Sequence, residues 1–197
     1  MTRRRRVAVG VAVAVLAAVT CVGAYAAFAA ATSNSGNSYA AGTVALSDND
    51  AGTAMFTTLT SMKANDSGTN CIRVRSDGTL SSTVTLYGSI AGSLAPYLTL
   101  TVTRGTDPTP TFGSCATFTA DATNYIGQGA GVIYNGALNS FPASYASGIT
   151  DPAVGGGTET WTQNEVHVYK FVITAGTNTA AQGLAATAAF TWEARSQ

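Results

Sequence analysis

Short stretches in which apolar and polar residues alternate recur along the chain after residue 41. A period of two is typical of β-strands that bury one face. Between the stretches lie clusters of Gly, Asn, Asp, Ser and Pro, which are typical of turns. Many short strands separated by turns predict an all-β fold, either a sandwich or a barrel. The predicted strands are 42–47, 71–75, 82–88, 97–104, 165–174 and 185–194.

Helical signals are sparse. Apolar residues at helical spacing occur between residues 134 and 145, but Gly136 and Pro142 interrupt them, so we predict at most one short helical turn at 135–140. The chain shows no repeat of fixed period and no segment long enough for a second domain. We therefore expect an extended segment at 27–41, followed by one β-sandwich domain at 42–197.

The first 26 residues have the pattern of a secretory signal peptide. A run of arginines, Arg3 to Arg6, precedes an apolar stretch at 7–24, and Ala24-Tyr25-Ala26 fits the small-x-small cleavage site. Ala27-Phe28-Ala29 fits the same pattern, so cleavage three residues later is an alternative. A retained membrane anchor is the other alternative, because 18 apolar residues approach the length that spans a bilayer.

Composition and charge change once the signal is removed. Only 10% of residues are charged, and the ten basic residues balance the ten acidic ones, but Arg3 to Arg6 leave with the signal. The mature chain then carries six basic and ten acidic side chains. Such a body lacks the basic surface that neutralises phosphates, which argues against a nucleic-acid partner. We expect a secreted protein of the cell surface with no membrane segment after cleavage.

Two cysteines, Cys71 and Cys115, remain after Cys21 leaves with the signal. An even pair in an oxidising compartment is most simply a disulfide, and we predict one between them.

Five short segments of the chain carry a recognisable pattern. They are Gly23-Ala24-Tyr25-Ala26-Ala27-Phe28, Tyr39-Ala40-Ala41-Gly42-Thr43-Val44-Ala45-Leu46, Leu59-Thr60-Ser61-Met62-Lys63-Ala64-Asn65-Asp66, Asp77-Gly78-Thr79-Leu80 and Ala189-Phe190-Thr191-Trp192-Glu193-Ala194. These segments resemble the TasA and camelysin family, secreted proteins of Gram-positive bacteria that a signal peptidase of the SipW type processes. The resemblance covers about the first 90 residues and the last ten, and it leaves 90–164 unmatched. The cysteine pair resembles a disulfide-bearing actinobacterial branch.

The resemblance implies a jelly-roll β-sandwich that polymerises into an extracellular fibre of the biofilm matrix. In such proteins the N-terminal segment leaves its own domain and adds as a strand to the next subunit, which satisfies an edge of unpaired backbone groups. The donor strand here is 27–39, with Phe28, Thr32 and Tyr39 as its β-forming residues. The alternative is a disordered N-terminal tail.

Camelysin-like metallo-endopeptidase activity is the enzymatic alternative, and it requires metal ligands. A zincin needs two histidines one helical turn apart, but the chain has one histidine, His167. Glu165 and His167 share a strand face and are the weak candidates for a site that a third carboxylate completes. We expect no enzyme, no cofactor and no metal.

A monomeric carbohydrate-binding or adhesive domain is a further alternative, because exposed aromatic side chains stack on sugars. The candidates are Trp161, Trp192, Tyr125, Tyr134 and Tyr145. The turn at 48–52 begins like a calcium loop but lacks the glutamate at its twelfth position, where Leu59 stands.

Overall fold

The computed structural model describes residues 41–56, 59 and 62–197. The predicted signal peptide and the proposed donor strand lie outside these residues. None of the helices among the described residues is long and apolar enough to cross a membrane.

The described residues form nine antiparallel strands in two sheets. The first sheet has the strand order β1-β2-β8-β4, and both β5 and β6 pair with β4. The second sheet has the order β7-β3-β9. The strands are β1 (Leu46–Asp48), β2 (Ser67–Ser76), β3 (Ser82–Ala91), β4 (Leu98–Thr106), β5 (Thr119–Ala120), β6 (Val132–Ala137), β7 (Ile149–Thr150), β8 (Val166–Ala175) and β9 (Thr187–Ser196).

The chain crosses between the two sheets several times. It passes from β2 in the first sheet to β3 in the second and back to β4, and later from β8 in the first to β9 in the second. These crossings build a single β-sandwich, so the prediction of an all-β antiparallel sandwich is confirmed. Four short 3-10 turns complete the structure of the described residues. The turn predicted at 135–140 is partly wrong, because residues up to Ala137 belong to β6 and only Leu138–Ser140 is helical.

The core lies between the sheets and follows from the alternation within each strand. In β2, Ile72 and Val74 face the core, while the residue between them is only partly buried. Their counterparts in β8 and β4 are large and fully buried, such as Phe171 and Leu100. Burying each side chain of this size contributes about 1.5 to 3 kcal/mol, so the apolar rows hold the two sheets together.

The predicted disulfide is confirmed. Cys71 on β2 is bonded to Cys115, their Cα atoms are 5.3 Å apart, and 44 residues separate them. Constraining a loop of this length stabilises the folded chain by about 4 kcal/mol. Such bonds are typical of oxidising compartments.

Candidate functional site: an open strand edge and its groove

A groove of 710 Å³ opens between the two sheets on one flank of the sandwich. One wall is β9, from Ala188 to Trp192, and the opposite wall is β1 with the segment that follows it. Core side chains such as Ile72 and Leu98 form the floor. The groove therefore offers a mainly apolar trough that runs beside a strand edge, and Asp48 and Asp50 also line it. The segment after β1 adds Met55, Phe56, Leu59 and Met62 to the lining.

Strand β9 is the outer strand of the second sheet. It pairs with β3 over all ten residues, from Thr187↔Ala91 to Ser196↔Ser82. No strand in the described part of the chain pairs with its other edge. In an antiparallel sheet every second residue points its N–H and C=O groups to the same side, so this edge carries a row of backbone donors and acceptors.

The half of β9 beside the groove carries no charge. Residues 187–192 are Thr-Ala-Ala-Phe-Thr-Trp, and Glu193 and Arg195 lie in the second half. Exposed strand edges in native proteins are usually protected by charged side chains, proline or bulges. The first half of β9 has none of these, so its edge remains able to pair with an added strand.

Two aromatic side chains of β9 pack on the core beneath the groove. The Phe190 ring packs against Phe171 with centroids 4.7 Å apart, and Trp192 packs against the same ring at 5.9 Å. The buried Nε1 of Trp192 has no hydrogen-bond partner among the described residues. A buried donor without a partner costs about 1 to 3 kcal/mol.

The described chain begins at the end of the sandwich where β9 finishes. Thr43 O accepts hydrogen bonds from Thr79 N (2.9 Å) and Leu80 N (3.1 Å), at the turn between β2 and β3. From there residues 41–48 run away from that turn, whereas β9 runs toward it. Residue 41, which continues the proposed donor segment, therefore lies at the end of the sandwich where β9 terminates.

A second polar region lies in the interior around Arg104, a residue of β4 that is only 1% exposed. Arg104 Nε donates to both oxygens of Asp151 at 3.1 Å, Nη1 bonds Asp121, and Nη2 donates to Glu159 at 3.1 Å. We call these four residues the arginine cluster. Burial disfavours the charged guanidinium, but the charges of Asp151 and Asp121 outweigh it and raise the pKa of Arg104. Arg104 is therefore a permanent buried cation.

Asp151 connects the arginine cluster to both sheets. Its carboxylate accepts hydrogen bonds from the Tyr169 hydroxyl (2.7 Å) and from Trp161 Nε1 (2.9 Å), while its own N–H donates to Val84 O (2.8 Å). Burial, together with the Asp151 charge, raises the pKa of Tyr169 well above its usual value. Because Tyr169 lies on β8 and Val84 on β3, this aspartate links the sheets through polar contacts.

The weak metal candidates Glu165 and His167 are in contact, with Oε1 and Nε2 3.1 Å apart. Glu159 joins them, and one donor atom from each of the three lies within 4.8 Å of the others. However, Arg104 Nη2 lies 3.1 Å from Glu159 and 3.3 Å from His167 Nε2. A guanidinium at this distance opposes the binding of a second cation. The group is better described as an ion-pair network, and the metallo-endopeptidase alternative stays a prediction.

Glu165 is fixed within this network. Its Oε2 accepts hydrogen bonds from Thr162 N (2.8 Å) and Thr162 Oγ1 (3.0 Å). Burial opposes ionisation, but these bonds and the contact with His167 lower the pKa of Glu165. The sequence pattern identifies Glu165 and His167 because they share a strand face. It misses Glu159, which comes from a loop and for which the patterning gives no signal.

The aromatic side chains considered for sugar binding do not form one exposed surface. Trp161 is fully buried, so its expected role in sugar stacking is wrong. Tyr125 donates its hydroxyl to Asp121 (2.7 Å), and burial with this bond raises the pKa of Tyr125 to about 12. The guanidinium of Arg195 covers the Tyr145 ring, 3.7 Å from its centroid. Tyr134 packs against a core phenylalanine, and Trp192 lines the groove.

The carboxylates of the turn at 48–52 are engaged by the backbone. Asp48 Oδ1 accepts a hydrogen bond from Asp50 N (3.0 Å), and Asp50 Oδ1 accepts one from Gly52 N (2.6 Å). Burial and the neighbouring Asp50 raise the pKa of Asp48. These are the contacts of an ordinary turn.

Fold and site together define an all-β sandwich of antiparallel strands in which β9 presents an open edge beside an apolar groove. The sequence matches no protein-family model and no curated protein.

Proposed function

We propose that the protein is a secreted structural subunit of the cell surface or extracellular matrix that polymerises by strand addition. The segment 27–39 of one copy adds to the free edge of β9 in the next copy. The observation that carries this proposal is the uncharged half of β9, which no strand of the described residues pairs, beside the apolar groove. The resemblance of the chain to the TasA and camelysin family supports the same function, and the disulfide fits an oxidising environment.

The donor segment is long enough to pair with the whole of β9. Thirteen residues in an extended conformation span about 43 Å, and the ten residues of β9 span about 33 Å. Phe28 supplies an aromatic side chain for the apolar trough, and Thr32 and Tyr39 favour the extended conformation. The run at 29–31 is alanine, so its side chains are small enough to lie beside Ala188 and Ala189 without crowding.

The direction of the chain favours contact with a second copy. Residues 41–48 run opposite to β9, and the chain enters the sandwich where β9 ends. To reach its own groove the donor segment would have to reverse its direction at residue 41. When copies repeat head to tail, the donor pairs antiparallel with β9 of its neighbour, as every other strand pair in the described residues does. Such a contact does not close on itself and builds a filament.

Electron microscopy of the purified mature chain tests this proposal. We expect filaments from the mature chain and none after deletion of 27–38. Phe28→Asp is the sharper variant, because it places a charge in the apolar trough while leaving the backbone able to pair, and we expect it to abolish filaments. Ser33→Asp adds the same charge on the opposite face of an extended segment and serves as the matched control. Monomers of the mature chain under every condition would contradict the proposal.

A further inference from the structure

The outer edge of the first sheet at β2 is only partly covered by a strand. β1 pairs with only the last three residues of β2, from Asp48↔Val74 to Leu46↔Ser76. The rest of β2, residues 67–73, has no strand on this side among the described residues. The first sheet therefore has an edge of its own that an added strand would fit.

Two loops occupy this edge instead of a strand. Arg73 N donates to the side-chain oxygen of Asn49 at 2.9 Å, and Gly113 N donates to Cys71 O at 3.1 Å. Residues 71 and 73 are two apart, so both present their backbone groups on the same side of β2. Asn49 Nδ2 also donates to Pro110 O at 3.4 Å, which joins the two loops to each other.

The loop that carries Gly113 is joined to β2 by the disulfide. Residues 107–118 contain no strand or helix, and most of them are exposed. Gly113 has a φ of +82°, a conformation that favours glycine, and it brings its N–H to Cys71. Two residues further on, Cys115 bonds covalently to the same residue. The covalent bond and the backbone hydrogen bond therefore fasten the loop at one point of the edge.

We propose that the Cys71–Cys115 disulfide is an edge guard: it holds loop 107–118 against β2 and thereby prevents a second copy of this chain from adding a strand there. Arg73 and Arg75 add charge to the same strand, which is a usual protection of edges. The guard leaves the edge of β9 beside the groove open to an added strand. That last consequence rests on the proposed function, whereas the closure of the β2 edge does not.

Amide hydrogen exchange tests the closure directly in the mature chain. In the Cys71→Ala/Cys115→Ala variant we expect the Gly113 amide to exchange about tenfold faster or more. The Ala180 amide, which is also bonded within an exposed turn and opens locally, should exchange at an unchanged rate. Asn49→Ala keeps the disulfide and should accelerate exchange of the Arg73 amide.

The control for Asn49→Ala is Asn178→Ala, which removes a similar bond, to Ala180 N, in the turn before β9. It should leave exchange of the Arg73 amide unchanged. Should the double cysteine variant unfold, the parent chain whose Cys71–Cys115 bond has been reduced under native conditions is measured in its place. Unchanged exchange of the Gly113 amide after reduction would overturn the proposal.

Association measurements separate this proposal from the proposed function. We expect the chain without 27–38 to remain monomeric by light scattering, and the same deletion combined with Cys71→Ala/Cys115→Ala to associate through the opened β2 edge. A combined variant that is folded and stays monomeric would overturn the guard even if the mature chain forms filaments. Absence of filaments from the mature chain, with association of the combined variant, would overturn the proposed function and leave the guard standing.

Discussion

The edges of the sandwich at β2 and at β9 are treated in opposite ways. At β2, a short strand pairs with residues 74–76, an asparagine side chain bonds the Arg73 amide, and a disulfide-tethered loop bonds the Cys71 carbonyl. At β9, ten residues pair with β3, and the other side is bare among the described residues. Unpaired strand edges promote aggregation. This protein blocks the edge at β2 against unwanted pairing and leaves the edge at β9 able to pair with an added strand.

The largest expected effect comes from giving β9 the protection that β2 already has. Ala188→Lys places an ammonium group at the mouth of the groove, where an incoming apolar strand would have to bury it, and we expect complete loss of filaments in electron micrographs. Ala188 is exposed, so the free energy of unfolding should change by no more than about 0.5 kcal/mol. Ser89→Lys adds the same charge on the neighbouring strand β3 at an exposed position and should leave filaments intact. Filaments from Ala188→Lys would show that β9 is not the accepting edge.

The second effect sharpens the contrast between edge and interior. Arg104→Leu leaves Asp151 buried without its cation, and we expect a loss of about 3 to 5 kcal/mol in the free energy of unfolding by chemical denaturation. Arg195→Leu is the matched control, because Arg195 is exposed on β9, where solvent screens its ion pair with Glu193, and we expect a much smaller loss. Equal losses for the two variants would show that the buried arginine cluster contributes no more to stability than an exposed ion pair.

The smallest effect is a pH dependence at Glu165, which belongs to the ion-pair network and does not line the groove. Its pKa is lowered in the folded chain, so its contribution to stability is present above the ordinary pKa of a glutamate and is lost as the pH falls through the lowered value. Glu165→Gln should therefore be less stable than the parent chain at neutral pH. The difference should shrink as the pH falls below about 4, as measured by denaturation at a series of pH values. A difference that does not depend on pH would show that the carboxylate charge is not involved.

Much of the strand layout is predictable from alternation alone. Five of the six predicted stretches, all except 42–47, lie within or overlap by most of their length the long strands β2, β3, β4, β8 and β9. The stretch at 42–47 reaches strand geometry only from Leu46. Alternation misses β6, because Gly136 and a shift in register opposite Val102 and Thr103 break its period of two.

The interior of the site is less accessible to sequence reasoning. Arg104 lies in an alternating strand, where a lone arginine is ordinarily exposed, and its burial depends on Asp121, Asp151 and Glu159 from distant loops. From the sequence, Trp161 is a candidate for an exposed sugar-binding side chain for the same reason. The local sequence pattern does not indicate that its Nε1–H donates to the buried Asp151. The open edge of β9 depends on which strand lies beside it, which is a property of the whole topology.

The full-length pairing of β9 with β3 has a mechanical consequence for a filament joined as proposed. Tension along the filament would pull a donor strand parallel to the axis of β9, and β9 would pass that tension to β3 through a ladder of ten residue pairs. When it is pulled along its length, such a ladder is loaded in shear. Its hydrogen bonds then share the force simultaneously and do not break one after another. The linkage through Asp151 then carries part of the force from the second sheet into the first, so that one subunit can transmit tension without its sheets sliding apart.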